Sequence, residues 1–274
     1  MVGSFTVVAY QASGAAVERR SRRARRRERS SCEVCAMMMP RIEIAPGVLM
    51  PALNFGIQKN HSVSINLGAM GLDTANVYGD AQQREVGRAV RAAVAGGIPR
   101  GELFLTSKIE CCPGKEFAGK IQSDLLCLIK KNPIANLKHD FTVLGVDYVD
   151  LMLLHWPCDN LDASVTAYKA MEQVYHAGRA RAIGVANFNA TQLAAFLPRV
   201  SVKPAVNQCG YSIAGHTDER WGRDDTTRLA CRARNITYSA YSPLGGWVKG
   251  GTSHVRHALT SMPRWLRLTC RAIH

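Results

Sequence analysis

The sequence has no run of about 18 uncharged apolar residues, so no membrane span is expected. No GxGxxG follows its first apolar strand, which counts against a Rossmann dinucleotide fold. It has one CxxC, Cys32 to Cys35, without a second pair at zinc-ribbon spacing, so no metal site is expected. Its nine cysteines are scattered and odd in number. That fits reduced thiols in a cytoplasmic compartment better than a disulfide frame. Acidic residues are scarce beside basic ones: 21 Asp and Glu against 35 Lys and Arg, a formal net charge of +14. Much of the excess lies at the two ends, with net +5 over residues 1–40 and net +4, without any acid, over residues 256–274. The arginine run from Arg19 to Arg29 reads as a disordered extension over residues 1–39. On charge alone the same run admits nonspecific nucleic-acid or membrane-surface binding, but no specific nucleic-acid partner is expected. The apolar "FTVVAY" precedes the arginines, the wrong order for a secretory signal, and Glu18, Glu28 and Glu33 weaken an organellar transit peptide.

What is present begins near Pro40. The 274-residue chain is 47% hydrophobic, enough for a sizeable core. "RIEIAPGVLMPALNFGI" reads as a hairpin turning at Pro46-Gly47, followed by a first strand near 51–57. Further strands are expected at 72–77, 103–109, 148–155, 182–187, 205–210 and 236–241. Amphipathic helices fall between them. In "QQREVGRAVRAAVAGG" Val86, Val90 and Val94 share one face, with Arg84, Arg88 and Arg91 largely off it. "ASVTAYKAMEQVYHAG" is expected to start near Ser164 and to stop at Gly178. Alternating strands and helices with short polar connections imply a parallel sheet covered by helices. Seven regularly spaced strands favour a barrel over an open sheet.

In a β/α barrel, reactive groups project from the C-terminal ends of strands. Asp73 ends one strand, with Tyr78 in the loop after it. Lys108 ends the next, and His155, followed by Trp156-Pro157, the one after that. Singly, each has a plain structural reading: a helix cap, a packed aromatic, a solvated charge, a core histidine. Together they place an acid, a lysine, a tyrosine and a histidine on neighbouring strand ends.

This quartet resembles the catalytic tetrad of the aldo-keto reductases. The strings "LDTANVYGD…REVG", "FLTSK", "LLHWP", "IGVANF", "NQCGYS" and "AYSPLGG" are similar to that family's motifs, and they occur in the family's order over roughly residues 41–250. The resemblance implies a (β/α)8 TIM-type barrel and NADPH-dependent reduction of small aldehydes and ketones. It implies Tyr78 as general acid, Lys108 lowering the tyrosine's pKa from about 10, Asp73 holding the lysine, and His155 orienting the carbonyl oxygen. Trp156 is implied as a wall of the substrate pocket, beside a reading in which it packs on Pro157. For the cofactor it implies Asn187 and Gln208 on the nicotinamide carboxamide, Tyr241 stacked on the ring, and Ser242 and Leu244 in the same string. Many members have Ser where this chain has Ala186, a lost hydrogen bond worth about 0.5–1.5 kcal/mol. "GGWVKGG" (245–251) reads either as a pyrophosphate loop or as a plain flexible one.

Three departures set further expectations. Only "QKNHSVSINLGAMG" separates the first two strands, so the first outer helix is short or irregular. Pro133 interrupts what would otherwise be a helix in an inserted stretch over 115–147. The resemblance ends near Val255, giving a barrel domain at 40–255 and an atypical tail at 256–274. The barrel is then expected to lack strand 8 and the C-terminal loop, and to bind NADPH weakly with little preference over NADH. Beside an active reductase stand a catalytically impaired relative and a nicotinamide-binding regulatory subunit.

Overall fold

The computed structural model describes residues 4–8 (backbone only), 40–57, 71–111, 132–213 and 216–243. A hairpin, β2 (Arg41–Ala45) and β3 (Val48–Pro51), turns at Gly47, whose φ of +70° favours glycine. Six parallel pairings then join seven strands in sequence order: β4 (Leu53–Gly56), β5 (Gly71–Asp73), β6 (Phe104–Ile109), β7 (Val149–Leu154), β8 (Ala180–Ala186), β9 (Val206–Gly210) and β10 (Thr237–Tyr241). The outer layer holds α1 (Asp80–Ala95), α2 (Pro133–Leu144), α3 (Leu161–His176), α4 (Ala190–Phe196) and α5 (Asp225–Ala233).

Seven strands alone would leave β4 and β10 with open edges. The gap is filled from the N-terminus: β1 (Ser4–Val8) runs antiparallel to both and closes the barrel. Thr6 pairs with Tyr241 on one side and with Asn54 on the other. The expected disordered extension over 1–39 is therefore corrected at residues 4–8. An apolar "FTVV" can serve as a strand wherever an edge is open, and sequence periodicity alone does not reveal the edge. No strand follows Tyr241 among the described residues. The Arg19–Arg29 run, the stretch 58–70, the segment 115–131 and the tail 256–274 lie outside the described residues, as does the Cys32/Cys35 pair.

Strand parity divides the core in two. Phe104, Leu151, Leu153, Ala182, Ala186 and Val206 point into the barrel, where Met50 of the hairpin closes its floor. Leu105, Met152, Leu154 and Ile183 point outward, onto Val86, Leu137, Phe141, Tyr168 and Phe196 of the helices. The same alternation, continued upward from Phe104 and Leu151, turns Lys108 and His155 inward at the C-terminal mouth.

Helix ends follow local chemistry. Pro133 does not interrupt a helix but begins one, at the first turn where its missing N–H costs nothing. The Asn132 side chain accepts from the backbone of Ile134 and Ala135. Asn160 caps α3 by accepting from Ala163, so the helix begins at Leu161, three residues earlier than the expected Ser164. On α1, Val86 and Val90 are buried while Val94, near the end, is 40% exposed. Gly87 lets α1 and α2 touch, since a Cβ there would stand 1.7 Å from the Leu144 carbonyl oxygen. Arg91 crosses the same contact and donates to the carbonyls of Leu144 and Gly145, each at 2.8 Å.

Candidate active site

The barrel's C-terminal mouth gathers Asp73, Tyr78, Lys108 and His155 from three successive strands. β5 ends at Asp73, and the chain turns through a short 3-10 helix, Asn76–Tyr78, before α1 begins. The expected strand over 72–77 is thus half that length, and the turn is what brings Tyr78 back over the mouth. Lys108 Nζ donates to Asp73 Oδ1 and, at 3.0 Å, to the Thr74 carbonyl. The other Asp73 oxygen accepts from Gln208 Nε2 at 2.6 Å. Burial alone would push the ammonium's pKa down, but Asp73, helped by Tyr78, outweighs it, and the Lys108 pKa is raised. The lysine therefore stays charged.

Tyr78 sits above this pair. Lys108 Nζ lies 5.7 Å from the centre of its ring. The His155 ring meets it edge-on, with centroids 6.1 Å apart and planes at 83°. The expected lowering of the Tyr78 pKa is not what this arrangement gives. Desolvation raises it and outweighs the lysine, whose charge is partly offset by Asp73. The phenol is held protonated in this state of the site.

His155 continues the sheet, its N–H donating to the Ile109 carbonyl at 2.8 Å. Trp156 stacks on its ring at 4.3 Å and is itself buried. The indole N–H donates to the Cys111 carbonyl at 2.7 Å, so the tryptophan rests on His155 and the β6 loop rather than on Pro157 alone.

The expected nicotinamide residues stand on the next three strands. Asn187 Nδ2 donates to the His155 carbonyl at 2.9 Å, and Asn187 Oδ1 accepts from Tyr241 Oη at 2.7 Å. Arg223 donates to the same Tyr241 hydroxyl at 3.1 Å. Asn187 and Ser242 hold φ of +61° and +52°, conformations that non-glycine residues rarely adopt and that cluster at functional sites. Leu244 and the 245–251 loop lie outside the described residues.

Behind Lys108 is a buried network that the sequence reading did not single out. Thr74 Oγ1 donates to Gln83 Oε1 at 2.6 Å, Gln83 Nε2 donates to Asp140 Oδ1, and Ser107 Oγ donates to Asp140 Oδ2 at 2.8 Å. Burial pushes the Asp140 carboxyl up to about 7, against the hydrogen bonds from Ser107 and Gln83. A signal existed: Asp140 shares the helical face of Leu137, Phe141 and Leu144, and an acid on a core-facing stripe requires a partner.

The cysteine expectation is also corrected. Cys111, after β6, and Cys158, after β7, are bonded as a disulfide with Cα atoms 5.1 Å apart. Residues 47 apart in sequence meet because adjacent parallel strands end side by side. Cys209 and Cys231 are free and buried.

Among the described residues, no group of three or more His, Cys, Asp or Glu is arranged to hold a metal ion, and no helix is long and apolar enough to cross a membrane.

Comparison with known proteins agrees with this fold. The profile of the "Aldo/keto reductase family" matches residues 62–270, past the Val255 limit of the visible motifs. Morphine 6-dehydrogenase of Pseudomonas putida is 34% identical over 221 residues, covering 77% of this chain and 66% of the relative. An aldo-keto reductase of Mycobacterium avium (strain 104) is 31% identical over 215 residues, with 76% and 66% covered. The matched part thus spans just under two thirds of the length of these relatives. An aldo/keto reductase crystal structure from Brucella melitensis superposes with a TM-score of 0.61 at 25% identity, covering 81% of this chain and 80% of the other. A Bombyx mori aldo-keto reductase in complex with NADP gives a TM-score of 0.58 at 28% identity, with 78% and 69% covered.

Proposed function

Because this chain belongs to the aldo/keto reductase family, we propose that it reduces aldehyde or ketone carbonyls to alcohols with NADPH, Tyr78 supplying the proton. The observation that carries the reading is the convergence of Tyr78 and His155 on one side of a buried Lys108–Asp73 pair at the barrel mouth. Reduction requires a hydride at carbon and a proton at oxygen, and the nicotinamide supplies the hydride when bound.

The residues fit a nicotinamide. The Asn187 amide is hydrogen-bonded to the hydroxyl of half-buried Tyr241, and the Gln208 amide projects from the neighbouring strand onto Asp73. Each NH₂ carries a second hydrogen beyond the bond it makes to His155 or to Asp73. These groups match a carboxamide and a flat ring, and one relative by structure is in complex with NADP.

The chain's own part is polarisation and proton transfer. In this reading a carbonyl oxygen accepts hydrogen bonds from Tyr78 O–H and the His155 ring, which meet edge-on with centroids 6.1 Å apart. As negative charge develops on that oxygen, the phenol proton moves to it. The phenolate left behind is stabilised by Lys108, whose charge is guaranteed by Asp73. Burial keeps the waiting phenol protonated but makes it a weaker acid, so proton transfer depends on Lys108, whose influence grows as the anion forms. Trp156 holds the His155 ring plane and lines the pocket behind it.

The test is an assay of NADPH oxidation by the purified chain with an aromatic aldehyde. Aldehyde-dependent oxidation with stoichiometric alcohol supports the reading. Tight NADPH binding without turnover would make the chain a nicotinamide-binding subunit instead.

A further inference from the structure

The β6–β7 ladder ends at Ile109↔Leu154 and at the His155-to-Ile109 hydrogen bond. Beyond it, two links join the following loops. The Trp156 indole donates to the Cys111 carbonyl, and Cys111 is bonded to Cys158. Both start from Cys111 and land on either side of Pro157. The disulfide therefore fixes the carbonyl on which Trp156 is hung, and Trp156 in turn is stacked on His155.

The two sulfurs differ in accessibility from the other described thiols. Cys111 and Cys158 are half-buried, whereas Cys209 and Cys231 are wholly buried. Burial raises the thiol pKa of both buried cysteines, that of Cys231 to about 11, which leaves little reactive thiolate. Exchange chemistry is thus directed to the pair at the mouth. The 5.1 Å Cα separation lies within the range a disulfide spans.

We propose that Cys111 and Cys158 are a reversible redox pair that sets the order of the carbonyl pocket, with a low-molecular-weight disulfide such as oxidised glutathione as oxidant. This rests on the reductase reading of the site. One cysteine thiolate attacks a glutathione sulfur, forming a mixed disulfide and releasing one glutathione thiolate. The second cysteine thiolate attacks the mixed disulfide, releasing the other. The two cysteine protons go to the two glutathiones, and a dithiol reductant reverses the sequence. In the oxidised form Trp156 is seated and His155 is oriented. In the reduced form the Cys111 carbonyl is released, and His155 loses its backing.

The experiment equilibrates the full chain in glutathione buffers from reducing to oxidising, quenches with an alkylating agent and maps peptides by mass spectrometry. A Cys111–Cys158 crosslink is expected to rise with oxidation, with a parallel change in indole fluorescence that Trp156→Phe abolishes. KM for an aromatic aldehyde is expected to rise about tenfold on reduction, and kcat to fall as well, because His155 bears on the transition state as much as on binding. Cys111→Ser and Cys158→Ser should hold KM at the reduced value in every buffer, and Cys209→Ser should still respond. Alkylation of both cysteines in every buffer, a crosslink through Cys112 instead, or a crosslink that moves neither fluorescence nor KM would overturn the proposal. If no buffer gives turnover, the reductase reading fails, while crosslink and fluorescence still decide whether the pair controls Trp156.

Discussion

Lys108 and Asp73 form an ion pair whose side chains are only 2% and 3% exposed, and Asp73 holds Gln208 with its second oxygen. Such a pair is costly to desolvate, and breaking it is costlier still, because the surviving charge is stranded. Lys108→Met should therefore lower stability by about 3–5 kcal/mol. Asp73→Asn combined with Lys108→Met should recover most of that loss without recovering activity. Urea denaturation of the two variants, with turnover measured alongside, checks this. Equal stability of the single and double variants would show that the pair is not coupled.

Asp140 links stability to pH. In the unfolded chain this carboxyl ionises near its ordinary value of 3.8, whereas in the fold it holds its proton up to about 7. The folded state then binds more protons between about pH 4 and 7, so stability falls as pH rises through that window and levels off above it. The groups around it are Ser107 and Gln83 by hydrogen bond, with His139 and Glu110 acting through charge and Lys108 feeling the Asp140 charge in return. The full swing is at most about 4 kcal/mol. Asp140→Asn should flatten this part of the pH profile and be more stable than the parent at pH 8. Denaturation midpoints at a series of pH values decide it.

The closing strand makes a prediction opposite to the one its sequence suggests. Residues 4–8 sit ahead of an arginine-rich stretch and look dispensable, yet they pair on both sides. Val7→Pro removes a backbone donor in that ladder and should cost about 3 kcal/mol or more. Deleting residues 1–8 should bare the edges of β4 and β10 and promote association. Sedimentation and thermal unfolding of the deletion report both effects, and an unchanged monomer with an unchanged melting temperature would contradict the closure.

Gly87→Ala tests the α1–α2 contact. The added methyl has no room beside the Leu144 carbonyl, and overpacking of this kind costs about 1–3 kcal/mol. Cofactor binding should be unaffected, because the contact lies on the outer layer.

Much of this architecture could be read from the chain. Inward parity along "LFLTSKI" and "YVDLMLLH" places Lys108 and His155 at the mouth once a barrel is assumed. Pattern reading fails where a partner is distant. "FTVV" becomes a strand only because β4 and β10 leave an edge. Pro133 looks like a breaker until Asn132 is seen capping the helix it begins. Cys111 and Cys158 are anonymous thiols until β6 and β7 lie side by side. A lowered Tyr78 pKa follows from the family resemblance, which sets Lys108 beside it; the burial that raises the pKa instead depends on the fold around the ring.

The most direct test of the central claim compares the parent with Tyr78→Phe in NADPH-dependent reduction of an aromatic aldehyde, with NADPH affinity titrated in parallel by fluorescence. The phenol is the proton donor in this account and does not hold the nicotinamide. The substitution should therefore cut kcat by about 100-fold to 10,000-fold and leave the NADPH dissociation constant within about threefold, a difference below 1 kcal/mol. Turnover by the phenylalanine variant at the parent rate would contradict the assignment of Tyr78 as the acid.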